Sequence, residues 1–151
     1  MTVDVNLIKQ LREKTGAGVA DIREALEESK NDLNKAEEVL RKKGFEKAAK
    51  KGDRETNAGL IDSYIHQGRV GSIIELMCET DFVARTDEFK GLAHEISMQV
   101  ASMNPKTVKD LEKQEYIRDP SKTISDLVKE AIAKLGENII IGRFQRFELG
   151  K

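Results

Sequence analysis

Apolar residues recur at helical spacing three times before residue 45. Leu7, Ile8 and Leu11 form one stripe, closed by Thr15-Gly16, and Val19, Ile22, Ala25 and Leu26 form a second that ends near Ser29-Lys30-Asn31. Leu33, Ala36, Val39 and Leu40 form the third, with Asn31 or Asp32 expected as its cap and Gly44 as its stop. From Gly59 the period shortens to two. Ile61, Ser63 and Ile65 share one face of a first strand, Gln67-Gly68 gives a turn, and Ile74, Leu76 and Cys78 alternate with polar neighbours over Ser72 to Thr80. Thr86 then reads as the N-cap of a helix with Asp87 and Glu88 in its first turn. That helix carries Phe89, Leu92, Ile96, Val100 and Met103 and ends before Asn104-Pro105.

Thr107 to Tyr116 adds a short helix before the Asp119-Pro120 break. Ser121 to Leu135 is amphipathic through Ile124, Leu127, Val128, Ala131 and Leu135, and Gly136 stops it. Asn138 to Leu149 is β-branched and aromatic, a strand that closes a small antiparallel sheet against these helices. The pattern predicts an α+β protein in three stretches: a three-helix bundle over residues 1–45, a basic linker over 46–58 and an α+β core over 59–151.

Composition narrows the function classes. In 151 residues, 26 Lys and Arg nearly balance 27 Asp and Glu, which argues against binding nucleic acid through global positive charge. Locally, Arg41, Lys42, Lys43, Lys47, Lys50, Lys51 and Arg54 crowd the join between bundle and core. This stretch reads first as a solvated linker, with contact to an acidic surface or to RNA as the sharper alternative. The lone Cys78 cannot form an internal disulfide and falls on the apolar face of its strand, as a small buried hydrophobe in a reducing compartment. Met1 to Asn6 lacks a basic start and apolar run, and no segment approaches the ~20 apolar residues of a membrane span, so a cytoplasmic protein is expected.

Candidate chemistry is sparse. Gly16-Ala17-Gly18 lacks the Gly-Lys-Ser/Thr of a phosphate loop, so direct nucleotide binding is not expected, and it reads as a helix-to-helix turn. His66 and His94 are too few and too isolated for a metal site. No carboxylate pair is marked out for acid–base work. The chain is not expected to be an enzyme or to hold a cofactor. What stands out is Thr80-Asp81-Phe82-Val83-Ala84-Arg85, where a strand hands over to a helix. An aromatic there is ordinarily core. At a strand-to-helix tip, Phe82 can equally protrude, ready to enter another protein.

The string from Thr80 to Arg85 resembles the signature of the elongation factor Ts family. Leu11-Arg12-Glu13-Lys14-Thr15-Gly16-Ala17-Gly18 resembles that family's N-terminal motif, and Gly136-Glu137-Asn138-Ile139 its motif before a late strand. The three occur in the family's order and cover most of the chain. Glu55-Thr56-Asn57-Ala58 departs from the family pattern before Gly59, which leaves the linker geometry open.

The resemblance implies a ubiquitin-associated-like fold for the three-helix unit and a guanine nucleotide exchange function. The partner would be the GTPase elongation factor Tu, with Thr80, Asp81, Phe82 and Val83 intruding near its Mg²⁺ site. Arg12, Gly16, Ala17, Gly18 and Val19 would contribute contacts from the N-terminal unit. Longer family members carry a second core copy and a coiled-coil insertion; this chain resembles the short form, for which a homodimer is expected. The runner-up is an adaptor that captures a peptide or helix through the three-helix unit, a use that leaves the Thr80–Arg85 string unexplained.

Overall fold

The computed structural model describes residues 3–151, so Met1 and Thr2 of the opening stretch lie outside the described residues. Three helices come first: α1 (Val5–Thr15), α2 (Val19–Glu28) and α3 (Leu33–Lys50). Asp4 caps α1 by accepting from the Asn6 N–H, and Gly16 closes it in the left-handed region at φ 69°, its N–H donating to the Arg12 carbonyl. Asp32 caps α3 by accepting from the Lys35 N–H. Leu11, Ile22, Ala25, Leu26, Ala36 and Leu40 make the buried centre of this bundle, as their helical spacing predicts.

One expectation fails here. Gly44 does not stop the third helix, which runs on to Lys50 through the first part of the expected linker. The reason is packing. A Cβ on Gly44 would sit 2.9 Å from the Ala133 Cβ of a later helix, so the glycine lets two helices approach closely instead of ending one. Ala48, near the end of α3, already belongs to the second buried cluster.

Strands β1 (Ala58–His66) and β2 (Val70–Cys78) form the expected hairpin. Gln67 and Gly68 both take positive φ, 53° and 67°, which matches the right-handed twist of the flanking strands. Helix α4 (Asp81–Ala84) is a single turn, followed by α5 (Asp87–Met103) and α6 (Val108–Lys113). β3 (Glu115–Tyr116) and β4 (Asp119–Thr123) pair as a small ribbon before α7 (Ile124–Leu135), and β5 (Ile139–Glu148) completes a sheet ordered β1-β2-β5, antiparallel throughout.

The ribbon corrects the sequence reading, which began the last helix at Ser121. Residues 121–123 are extended instead, and Thr123 caps α7 in a reciprocal box with Asp126. The inner face of the sheet presents Ile74, Leu76, Cys78, Ile139 and Ile141 to Phe89, Ile96 and Val100 of α5 and to Ile124, Val128 and Ile132 of α7. Because Leu60 pairs with Leu76 and Asp62 with Ile74, the face shared by Ile61, Ser63 and Ile65 must point outward, and it does.

Candidate partner-binding site

β2 ends at Cys78, not at Thr80, and the next residues form the one-turn helix α4. Thr80 is its cap: the Thr80 hydroxyl accepts from the Val83 N–H at 3.4 Å. Below it, Ala84 is buried and Val83 packs against the main core. At the other end Thr86 donates to the Val83 carbonyl at 2.8 Å and accepts from the Phe89 N–H at 3.2 Å, starting α5. The segment is therefore anchored by its small and apolar members. Phe82 is the residue left over. It is 84% exposed, and Asp81 beside it is also exposed. The core reading of Phe82 does not hold; an aromatic ring of this size in water has no packing role within the chain.

Polar contacts across the fold hold the approach to this tip. One Glu137 carboxylate oxygen accepts from the backbone N–H groups of Glu79 (3.1 Å) and Thr80 (2.9 Å), and the other accepts the Thr80 hydroxyl at 2.7 Å. The Glu79 carboxylate returns the contact by accepting from the Asn138 N–H at 2.8 Å. The buried Asn138 side chain donates to the carbonyls of Arg54 (2.9 Å) and Gly52 (3.4 Å), just past the end of α3. The sequence singles out both segments, as the Thr80–Arg85 string and the Gly136–Ile139 motif, but not their contact, since Thr80 and Glu137 lie 57 positions apart.

The N-terminal candidates gather at the α1–α2 corner. Arg12, Gly18 and Val19 are exposed, Gly16 caps α1, and Ala17 is partly buried against the bundle core. This corner meets the end of α7: a Cβ on Gly16 would lie 2.7 Å from Lys134 Cγ. Lys134 touches one candidate group, and three positions later Glu137 holds the other. A cleft of about 800 Å³ opens between α1 and α3 on one side and α5 and α7 on the other, lined by Leu40, Phe45, Leu92, Leu127 and several ion pairs.

The remaining candidates take structural roles. Burial raises the pKa of the Cys78 thiol, which donates to the Thr80 carbonyl at 3.2 Å and is buried as expected. His94 pairs with Asp62 at 3.1 Å and His66 with the Tyr64 hydroxyl at 2.8 Å. Of the basic stretch, Arg41 bridges to Asp126 and Glu130, Lys43 to Glu24, Lys47 to Asp21 and Arg54 to Glu79. More than half of those cations are thus committed within the chain. Among the described residues no group of three or more His, Cys, Asp or Glu side chains could hold a metal ion, and no helix is long and apolar enough to cross a membrane.

The chain is an α+β protein with a helical N-terminal unit and an exposed aromatic at its Thr80–Arg85 turn, and sequence similarity places it among translation elongation factors. A family model described as elongation factor TS matches residues 79–151, the part that begins at the tip. Elongation factor Ts of Thermoanaerobacter sp. (strain X514) is 44% identical, covering 99% of this chain and 96% of the relative. That of Thermotoga neapolitana is also 44% identical, over 100% and 99%, and that of Coprothermobacter proteolyticus 42%, over all of both chains. The chain belongs to the elongation factor Ts family. The first two alignments run over 195 positions against 151 residues here, so these relatives carry internal residues that this chain lacks.

Proposed function

We propose that the chain is the exchange factor of elongation factor Tu: it binds the GDP-bound GTPase, disturbs the Mg²⁺ and nucleotide site, and releases GDP so that GTP can bind. The observation that carries this is Phe82, 84% exposed on a turn that the Thr80 cap, Val83 and Ala84 tie down. Placing Phe82 in an apolar pocket of the partner is worth roughly 1.5–3 kcal/mol. Asp81, next to it, brings a carboxylate toward groups that organise the metal. Mg²⁺ demands near-octahedral coordination, so small displacements of its ligands or waters cost much affinity. Thr80 and Val83 set the direction of the segment, and Ala84 keeps it slim.

Linkage requires that GDP weaken binding of the factor by the same ratio as the factor weakens binding of GDP. Each tenfold gain in release rate needs about 1.4 kcal/mol at the release transition state. One anchored ring supplies one or two decades, and further contacts come from Arg12, Gly16, Ala17, Gly18 and Val19 in the three-helix unit. That unit, with its own buried cluster, acts as a ubiquitin-associated-like module beside the α+β core. The protein works in the cytoplasm as a homodimer. The outward sheet face supports the dimer: Ile61, Ile65, Ile73, Ile140 and Phe147 are all exposed, and Ile65 and Phe147 flank Gly71 in one row across the strands.

The test is release of fluorescent GDP from elongation factor Tu. The wild-type chain should accelerate it, and Phe82→Ala should lose at least tenfold while keeping its circular dichroism and melting temperature. An unfolded variant would return Phe82 to the core. Asp81→Ala should lower the maximal release rate more than it lowers binding; equal losses would remove its role at the metal.

A further inference from the structure

We propose that Glu137 is a positioning residue for the Asp81–Phe82 tip, acting through the two backbone N–H groups and the hydroxyl it accepts. The inference rests on the exchange reading given above. Four observations combine. Glu137 is only partly buried and belongs to no apolar cluster, so packing does not explain it. Its carboxylate takes three donors within 3.1 Å, all from Glu79 and Thr80, the two residues between the last strand pair and α4. Thr80 is itself the cap of α4, so the bond at 2.7 Å holds the cap that starts the turn bearing Phe82. Finally, the Glu79–Asn138 bond and the Asn138 bonds to Gly52 and Arg54 tie the same junction to the end of α3.

The physical reason for such a clamp is preorganisation. Residues 79 and 80 have left the β1–β2–β5 ladder, and their N–H groups would otherwise turn to water. A charged acceptor that satisfies both at once is stronger than neutral partners and fixes the backbone before the partner arrives. A tip already ordered loses less conformational freedom on binding. Glu137 never needs to touch the partner to do this.

The experiment combines two readouts. In the free protein, hydrogen exchange of the Glu79 and Thr80 amides should quicken at least tenfold in Glu137→Ala, with Leu76 and Ile141 unchanged. In the GDP-release assay, Glu137→Ala should lose about tenfold at limiting concentration in the wild-type background and less than twofold in a background carrying both Asp81→Ala and Phe82→Ala, because a residue acting through the tip then has nothing left to position. Glu137→Gln keeps one carbonyl oxygen for the two N–H groups and an amide that can donate to the Thr80 hydroxyl, so it should retain most of the rate. Unchanged amide exchange, or a Glu137→Ala loss that persists in full once both tip side chains are removed, would overturn the proposal. Faster amide exchange in Glu137→Ala, beside a wild-type chain that fails to release GDP, would uphold the clamp and discard the exchange reading instead.

Discussion

Gly44→Ala is the sharpest test of how the helical bundle joins the core. In an isolated helix this change stabilises by about 0.5–1 kcal/mol, because glycine loses more backbone freedom on folding than alanine. Here the new methyl would lie 2.9 Å from the Ala133 Cβ, against the ~3.5–4.0 Å of an ordinary carbon–carbon contact. Ala133 has no rotamer with which to retreat, so α3 and α7 must separate. Overpacking of this kind costs roughly 1–3 kcal/mol. The net expectation is a loss of about 1 kcal/mol where helix propensity alone predicts a gain of similar size.

The double variant Gly44→Ala/Ala133→Gly moves the methyl across the interface. It should return to within ~0.5 kcal/mol of wild type, a coupling of about 2 kcal/mol when Ala133→Gly alone costs about 1. Urea unfolding followed by circular dichroism supplies all four corners of the cycle. If Gly44→Ala stabilises the chain and the two changes add, the close approach is not what keeps this glycine, and the account of α3 given above is wrong.

Two further outcomes follow from the geometry. The Tyr116 hydroxyl donates to Glu95 at 2.7 Å, and burial together with that carboxylate pushes its pKa up to about 12. A folded-state value above the unfolded ~10 means the phenol contributes stability below about pH 10 that is lost as pH rises toward 12. Tyr116→Phe should therefore flatten the alkaline limb of the urea midpoint; parallel limbs for the two proteins would refute it. On the outer sheet face, Ile65→Lys with Phe147→Ser should leave folding intact, since both side chains are exposed, and shift sedimentation at micromolar concentration from dimer to a 17.0 kDa species. A wild-type chain that already sediments at that mass would remove the dimer.

Local chemistry made much of this fold legible. Helical spacing located the bundle, Thr86 and Asn104 bounded α5, and the alternation of Ile74, Leu76 and Cys78 set the buried side of β2. Where the reading failed, a distant partner had overruled the local signal. Gly44 looks like a stop until Ala133 arrives against it, and Ser121 looks helical until it is drawn into the ribbon, where Thr123 pairs with Glu115 and Asp119 with Tyr116. The candidate tip was visible as a string of residues, but its exposure was not, because Phe82 is no less apolar than Phe89, which is wholly buried. The clamp at Glu137 was beyond reach for another reason: both segments stood out as motifs, but a carboxylate aimed at backbone N–H groups leaves no side-chain complementarity that would pair them.

The unbroken course of α3 has a mechanical meaning. It begins in one buried cluster and ends in the other, 18 residues at ~1.5 Å each, so a single rod joins the two parts of the molecule. Parts joined this way behave as the jaws of a calliper, with their opening set in advance. One residue more or fewer in the rod would turn one jaw by about 100° relative to the other. The number of residues in this one helix therefore sets how the bundle and the core face each other.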